Sequence, residues 1–358
     1  IQSKVDPENI GRGMDGYDAG VTGLATLAFL GNGHTHKFGR YRRYVRRAIE
    51  WIKKIQVNDP SSQWHGSIGY IINGQKVHHP EWIYNHMICT MALCEAYAIT
   101  KDFQLKDYAQ RAVDFIVKCQ NPGLGWRYDD ETPEKAVRPG KNDTSVTGWA
   151  VLALKAAKQS GPPEEDGLRV PKEAFHGAIE WFRRVTGSNG QAGYMTPGGG
   201  SSVLAGRQQT FQSVPTTTAV SILCRMFAGE SKSNEDIRKG AQIIMNNLPK
   251  WDENNYKTAN MYFWYYGTYA MFQIGGSNWD CGKNYNSVEA LKNRTCHCWN
   301  HAMQAALLLT QRQGVRGDDA DGSWDPVTEW GIAGGRVYST AIGALTLEIY
   351  YRYERLKQ

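Results

Sequence analysis

The chain has 358 residues, of which 41% are hydrophobic, and a formal net charge of +6. The apolar content suffices for a sizeable core, and no apolar run approaches the roughly 20 residues that a membrane span requires. Much of the basic excess lies in residues 40–47, where helical spacing predicts a solvated outer face. The sequence therefore argues against a transmembrane segment and against a nucleic-acid partner.

A short sequence recurs along the chain and predicts its architecture. Residues 143–158 and residues 18–29 share an Asp, a Val-Thr-Gly step and the Ala and Leu residues that follow it. Each copy places a polar residue suited to capping a helix before small and apolar residues with almost no charge. A helix of this composition is buried on nearly all sides. We refer to such segments as inner-type helices.

Inner-type helices alternate with amphipathic outer-type helices. The inner-type segments are residues 18–30, 85–97, 143–158, 217–227, 264–273 and 338–350. The outer-type segments, with apolar residues at three- and four-residue steps, are residues 41–56, 105–120, 174–185, 235–248 and 299–313. Strand signals are sparse, and residues 65–77 form the best hairpin candidate. The alternation predicts an all-α (α/α)6 toroid, a double ring of inner and outer helices, as a single domain over residues 1–358.

Three loops carry a Gln followed by a Trp next to or near a Gly. The pairs are Gln120 with Gly125-Trp126, Gln311 with Gly322-Ser323-Trp324 and, more loosely, Gln56 with Trp64-His65-Gly66. This pattern resembles the Gln…Gly-x-Trp repeat of squalene–hopene cyclases and other class II terpene cyclases, whose fold is shared by the β subunits of protein prenyltransferases. The resemblance covers essentially the whole chain as a fold. It implies that the motif ties the end of an outer helix to the next inner helix, with the Gln amide bonding backbone groups while the Trp packs on the loop.

The same resemblance gives a test for activity. Class II cyclases use an Asp-x-Asp-Asp motif whose central carboxylic acid protonates an alkene. The most suitable place, residues 141–144, reads Lys-Asn-Asp-Thr and contains one Asp. The resemblance therefore implies a divergent, bacterial-type member without class II terpene cyclase activity. Residues 318–321, Asp-Asp-Ala-Asp, are interpreted as a solvated turn or as a Ca²⁺ loop.

A second cluster of residues has metal-binding chemistry. Prenyltransferases hold Zn²⁺ with an Asp, a Cys close after it and a distant His. The candidate ligands in this chain, in a spacing that departs from that family's, are Asp280, Cys281, Cys296, Cys298 and His301. A loop-closing disulfide among the three cysteines is the alternative, and it would suit a periplasmic or extracellular location. No cofactor is required by these patterns, and Zn²⁺ and Ca²⁺ are the candidates.

In a double ring the inner helices run parallel, so their N-terminal ends gather at one mouth. The catalytic candidates at this mouth are Asp18, His86, Asp143, Tyr265 and Tyr338. The ligand-binding candidates around them are Tyr17, Trp82, Tyr84, Asn85, Trp264 and Arg336. Helix N-termini favour anionic or hydroxyl-rich ligands, although capping and packing alone would also explain many of these residues.

Three functions therefore remain open. The first is binding of a small-molecule or glycan ligand in the central cavity, without cyclase activity. The second is a polysaccharide lyase or hydrolase on an α/α barrel, and the third is a Zn-dependent prenyltransferase-like enzyme. Whether the protein is an enzyme stays open. The chain opens on Ile1 rather than Met, which suits a part of a larger polypeptide or assembly.

Overall fold

A computed structural model describes residues 11–69, 71–72, 75–76, 82–128, 141–199, 215–251, 259–313, 320–328 and 330–356. The described residues are mainly α-helical and divide into two compact units. The first unit contains residues 15–185 and 227–229, and the second contains the described parts of residues 1–14, 186–226 and 230–358. The single-domain organisation remains a prediction.

Six α-helices are described in the first unit, and they alternate as the sequence predicts. In chain order they are α1 (Asp18–Gly31), α2 (Arg42–Lys54), α3 (Trp82–Thr100), α4 (Phe103–Lys118), α5 (Thr144–Lys158) and α6 (Lys172–Val185). Helix α3 packs against both α1 and α5. Because α3 and α5 are buried along most of their length, these inner helices form the core of the unit.

Local sequence explains where these helices begin and which face they bury. Helix α5 starts after Asp143, whose side chain accepts a hydrogen bond from the backbone N–H of Val146 at 2.9 Å. The outer helix α2 buries Val45, Ile49 and Ile52 on one face, while the arginines of residues 40–47 are exposed. The predicted solvated basic face is therefore confirmed.

The first unit also contains two 3-10 helices, Asp15–Tyr17 and Pro163–Glu165. The second unit contains the remaining described α-helices, except that Phe227 at the end of α7 belongs to the first unit. They are α7 (Thr216–Phe227), α8 (Glu235–Met245), α9 (Met261–Ile274), α10 (Gly276–Trp279), α11 (Val288–Lys292), α12 (Trp299–Leu308) and α13 (Gly331–Arg352). Helix α9 is buried along nearly its whole length and packs against α13 and α12. Helix α13 is kinked at Gly335, so the predicted inner segment, residues 338–350, is the part that follows the kink. The short helices α10 and α11 were not predicted.

Two short antiparallel strands lie within the predicted hairpin. Strand β1 (Ile71–Ile72) pairs with β2 (Gln75–Lys76), with Ile71 opposite Lys76 and Ile72 opposite Gln75. Residues 73 and 74, between the two strands of this hairpin, lie outside the described residues. Among the helices that are described, none has both the length and the apolar character that crossing a membrane demands.

The predicted bonding of the Gln amides to backbone groups is confirmed, but in the first unit the helix they reach is the next outer helix rather than the next inner one. The Gln120 amide donates to the carbonyl oxygens of Leu124 at 2.7 Å and Ala174 at 2.9 Å, so it ties its loop to α6. The Trp126 indole N–H donates to the Ile116 carbonyl at 2.7 Å. This pair therefore fixes the loop that follows the outer helix α4.

The other two copies make related bonds. The Gln56 amide donates to the carbonyl oxygens of Gly66 at 3.2 Å and Tyr108 at 3.0 Å. The Gln311 amide donates to the Gly322 carbonyl at 2.8 Å, and the Trp324 indole N–H donates to a carbonyl of α12 at 2.8 Å. In both units, therefore, the Gln of the motif holds the loop that follows it by donating to a backbone carbonyl of that loop.

Candidate functional site

His86, a predicted catalytic residue, has both ring nitrogens engaged with backbone groups. Nδ1 accepts a hydrogen bond from the Ile68 N–H and Nε2 donates to the Ala112 carbonyl, each at 3.1 Å. The side chain is buried, and burial lowers its pKa to about 3. This neutral imidazole has no free nitrogen for proton transfer, so its bonding favours a structural role over the predicted catalytic one.

The predicted residues around the start of α1 do meet. The Asn85 side-chain oxygen accepts from the Gly20 N–H at 2.9 Å, and its amide group donates to the Gly16 carbonyl at 2.7 Å. Asn85 is buried, Tyr17 is half-buried and Asp18 is exposed at the first position of α1. Asn85 therefore fastens α3 to the start of α1, and Asp18 is the predicted acid of the first unit that faces solvent.

Polar side chains also meet where α3 and α5 begin. The Tyr84 hydroxyl donates to the Ser145 hydroxyl at 3.2 Å, and the Trp181 indole N–H donates to the Thr144 hydroxyl at 3.2 Å. Asp143 is 1% exposed. This group, consisting of Tyr84, Asp143, Thr144 and Ser145, is called the α3–α5 polar cluster below.

The predicted aromatic ligand residues contribute to packing. Trp82 is fully buried and meets Trp64 edge-on, with ring centroids 5.2 Å apart. Trp264 lies 2% exposed in α9, with its centroid 6.1 Å from that of Trp251. Tyr265, 1% exposed, meets its neighbour in α9 edge-on at 5.4 Å. The burial of these rings leaves them little surface with which to contact a ligand.

The two predicted residues of α13 lie close to its kink. Arg336 donates to the Ser323 hydroxyl at 2.9 Å and forms an ion pair with Asp325 at 2.7 Å. Tyr338 is buried two residues further on, at 9% exposure. Arg336 is therefore held by neighbouring protein groups, and its charge is already balanced by a carboxylate.

Four of the candidate metal ligands converge. We call Cys281, Cys296, Cys298 and His301 the Cys3His cluster, because one ligand atom from each lies within 4.8 Å of all the others. His301 Nδ1 is 3.1 Å from Cys298 Sγ, 3.2 Å from Cys296 Sγ and 3.6 Å from Cys281 Sγ. The Sγ atoms of Cys296 and Cys298 are 3.8 Å apart.

The cluster is assembled at the start of α12. Cys298 is the N-cap residue of this helix and His301 lies in its first turn, while Cys281 comes from the loop after α10. The Tyr285 ring meets the His301 ring edge-on at 4.8 Å. Burial opposes ionisation of Cys296, but hydrogen bonds, the first of them from Tyr285, outweigh it and lower its pKa to about 6. Burial raises the pKa of Cys298 to about 12.

Two predictions at this cluster are corrected. Asp280 stands outside the ligand set, because its carboxylate accepts hydrogen bonds from the Asn300 amide at 2.9 Å and from the Gly282 N–H at 2.8 Å. All seven cysteines, each of them a described residue, are free thiols. The 3.8 Å between Cys296 and Cys298 far exceeds the roughly 2.05 Å of a disulfide bond, so the predicted disulfide is not formed.

A Ca²⁺ loop at residues 318–321 stays untested. Residues 318 and 319 lie outside the described residues, and Asp321 is exposed. The second unit also contains a cavity of about 300 Å³ that the sequence did not indicate. Its lining residues are Pro249, Lys250, Trp251, Lys292, Arg294, Ala305, Ala306, Leu309 and Thr310. Their separation along the chain explains why no local pattern could reveal this cavity.

Comparison with known proteins supports the resemblance to terpene cyclase-like α/α-toroid proteins. Residues 14–169 match the family described as squalene-hopene cyclase C-terminal domain. The match covers most of the first unit and less than half of the chain. The predicted resemblance to the terpene cyclase-like α/α-toroid superfamily is thereby confirmed. A comparison with curated protein sequences finds no match.

Two solved structures are similar over most of the chain. One is described as a novel α-amylase from Clostridium perfringens, with 12% identity, a TM-score of 0.51, and coverage of 93% of this chain and 85% of that one. The other is a GH76 α-mannanase from Bacteroides thetaiotaomicron, with 11% identity, a TM-score of 0.53, and coverage of 94% and 85%. At these identities the likeness concerns the fold alone. The predicted all-α class of the α/α-toroid type is confirmed.

Proposed function

We propose that the protein binds a polar, hydroxyl-rich ligand at the N-terminal ends of its inner helices and has no class II terpene cyclase activity. The observation that carries this proposal is the hydrogen bonding of Asp143. This residue is the single Asp in residues 141–144, where a class II cyclase has several acids. Its carboxylate accepts a hydrogen bond from the Val146 N–H and caps α5. A capping carboxylate acts as an acceptor, whereas the acid of a cyclase has to donate a proton.

The α3–α5 polar cluster supports a hydroxyl-rich ligand such as a glycan. The half-buried Tyr84 offers a hydroxyl group that donates to the Ser145 hydroxyl and can also accept a hydrogen bond. A chamber for polyene cyclisation would instead require apolar and aromatic surfaces. Helix N-termini add partial positive charge, which favours the oxygen atoms of a polar ligand.

A polysaccharide hydrolase or lyase is the second candidate function. It is favoured by the likeness of the fold to two proteins named as an α-amylase and an α-mannanase. Because one fold hosts many activities, this likeness supports the class of ligand more than the reaction. In such an enzyme Asp18 is the best placed of the predicted catalytic residues of the first unit, since it is exposed while His86 and Asp143 are buried.

The test is a thermal-shift screen with starch and mannan oligosaccharides on one side, and squalene and farnesyl diphosphate on the other. A ligand that binds only the folded state raises the melting temperature. We expect an oligosaccharide to do so, and Tyr84→Phe to reduce the shift. The matched control is Tyr44→Phe, which removes a hydroxyl from an exposed position of α2 and should leave the shift unchanged. A shift with isoprenoids alone, a cyclised product from squalene, or no shift with either class would overturn the proposal.

A further inference from the structure

The segment between Cys281 and Cys296 has almost no core of its own. Of its fourteen residues, Leu291 is the one that is buried. Its helix α11 has five residues, and isolated helices are marginal in water below about 12–15 residues. Apolar burial therefore cannot hold this segment in place, and its position has to be fixed at its ends.

The Cys3His cluster joins those ends. Cys281 precedes the segment, whereas Cys296, Cys298 and His301 follow it. Three Sγ atoms approach the single Nδ1 of His301 to between 3.1 and 3.6 Å. One imidazole nitrogen has either one N–H or one lone pair, so hydrogen bonding satisfies only one of the three contacts. A shared metal ion explains why all three sulfur atoms converge there.

We propose that the Cys3His cluster binds one Zn²⁺ as a structural centre that fastens residues 282–295 to the start of α12. With Zn–S bonds of about 2.3 Å and a Zn–N bond of about 2.0–2.1 Å, a tetrahedron has S···S edges of about 3.8 Å and S···N edges of about 3.6 Å. The measured separations are 3.8 Å between Cys296 and Cys298, and 3.1–3.6 Å from sulfur to nitrogen. Three thiolates and an imidazole select Zn²⁺ over Ca²⁺ and Mg²⁺, which prefer oxygen ligands.

The arrangement is that of a structural site. Four protein ligands complete a tetrahedron, whereas a catalytic Zn²⁺ keeps one position for water or substrate. Asp280 lies next to this set without entering it, because its oxygens are bonded to Asn300 and Gly282. The centre thus lacks the open position that a prenyltransferase needs to bind a thiolate substrate, and it is independent of the ligand-binding function proposed above. The N-terminus of α12 adds partial positive charge beside the thiolates.

The fastened segment also contributes to the cavity of the second unit. Lys292 and Arg294 line it together with Trp251, and among the described residues no group accepts a hydrogen bond from the buried Nε of Arg294. Because both basic residues lie within residues 282–295, the metal centre determines whether this wall of the cavity is ordered.

The first experiment uses the unaltered chain. Elemental analysis of the purified protein is expected to find one Zn²⁺ per chain, and three thiols should become reactive only after a chelator removes the metal. Co²⁺ added to the metal-free protein should give thiolate charge-transfer bands and the visible bands of tetrahedral cobalt. Failure to bind Zn²⁺ or Co²⁺ through thiolates would overturn the proposal.

The second experiment compares matched variants by competition titration with Zn²⁺. His301→Ala is expected to lower affinity by more than the roughly 10–100-fold that loss of a group bonded to a ligand costs, and Asp280→Ala by less than that range, because its carboxylate bonds Asn300 and Gly282 rather than a ligand. His297→Ala removes an exposed histidine between two of the cysteines and should leave affinity unchanged. Equal losses in His297→Ala and His301→Ala would contradict the ligand assignment.

A third measurement does not depend on whether a variant folds. The segment contains Lys283, Lys292 and Arg294, after which trypsin cleaves. We expect the chelator to accelerate cleavage at these sites at least tenfold, and added Zn²⁺ to restore protection. Cleavage rates that do not respond to metal would show that the centre does not hold the segment. Because glycan binding is measured separately, failure of this proposal leaves the proposed ligand function intact.

Discussion

His86 shows how a single buried polar residue can stabilise the junction between several chain segments. It lies in α3 and bonds the backbone at Ile68 on one side and at Ala112 in α4 on the other. Its ring also meets Phe115 edge-on at 4.9 Å. Because Nδ1 accepts from an amide, the proton of the neutral ring is on Nε2. The position of His86 near a helix start suggested a catalytic role. Its tertiary contacts, which the sequence does not show, indicate that it links α3 to the backbone at Ile68 and Ala112.

Stability should fall on acidification because of this residue. Its folded-state pKa of about 3 lies below the value of about 6.5 for an unfolded chain. Between these pH values the unfolded chain binds a proton that the folded protein does not, so the free energy of unfolding decreases as pH falls, by up to about 1.4 kcal/mol per pH unit. His86→Gln offers an amide oxygen and an amide N–H but does not titrate. We expect lower stability at pH 7 and a shallower dependence between pH 6.5 and 5.

Urea unfolding at several pH values measures both quantities for His86→Gln. His176→Gln is the matched control, since His176 is exposed on α6, and this variant should keep the pH dependence of the unaltered chain. An identical slope in His86→Gln and the unaltered chain would show that His86 does not remain neutral in the folded state.

At the scale of elements, the alternation of buried and amphipathic helices was predictable from composition. Helix α5 begins after its predicted cap, and α1 covers its predicted residues. The start of α3 lies three residues before the predicted one, because Trp82 and Ile83 are buried and helical without the small residues that mark the repeat. Helix α11 was not predicted, because a helix of five residues is too short to show a hydrophobic period in the sequence. The ligand set at α12 was named from sequence, but Asp280 could be excluded only through its bonds to neighbouring groups.

The Gln and Trp pairs allow a prediction about the repeat itself. The Gln120 amide donates to carbonyls of two elements, the loop at Leu124 and helix α6 at Ala174. Among the described residues, the Gln311 amide donates to Gly322 alone, in a bond that is exposed to solvent. A typical hydrogen bond contributes about 0.5–1.5 kcal/mol. Gln120→Ala should therefore destabilise the protein by about 1–3 kcal/mol, and Gln311→Ala by about 1 kcal/mol or less, as measured by urea unfolding. The reverse order would mean that bonds to α6 do not stabilise the first unit.

At the scale of the whole molecule, the fold constrains the function less than the sites do. The sequence of residues 14–169 matches a cyclase family, while the described structure is similar to an α-amylase and an α-mannanase. A framework of inner helices can present very different groups at their N-terminal ends. In the first unit those groups include hydroxyls, an amide and a capping carboxylate. The Cys3His cluster is placed at the start of α12, which is buried over most of its length rather than amphipathic as predicted.

Residues 11–14, the first that the structure describes, pair with the last described helix, α13. Within the second unit, the Met14 N–H donates to the Ala333 carbonyl at 2.7 Å and the Arg336 N–H donates to the Gly11 carbonyl at 2.9 Å. These bonds flank Gly335, where α13 is kinked with φ 67° and ψ −166°. That conformation is available almost exclusively to glycine. A Cβ at residue 335 would also lie 2.5 Å from the Gly11 oxygen and 2.6 Å from the Gly13 nitrogen.

Gly335→Ala should consequently detach the start of the chain from α13. Backbone strain and the clash together should lower the free energy of unfolding by about 2–4 kcal/mol, and trypsin should cleave faster after the exposed Arg12. Gly322→Ala is the control, because Gly322 has a φ of 76° with no atom within 4 Å of an added Cβ, so it introduces strain without the clash. It should cost about 1–2 kcal/mol and leave cleavage after Arg12 unchanged. If both variants behaved alike, the close approach of residues 11–13 to Gly335 would have no effect on stability, and the pairing of the chain's beginning with α13 would rest on its backbone bonds alone.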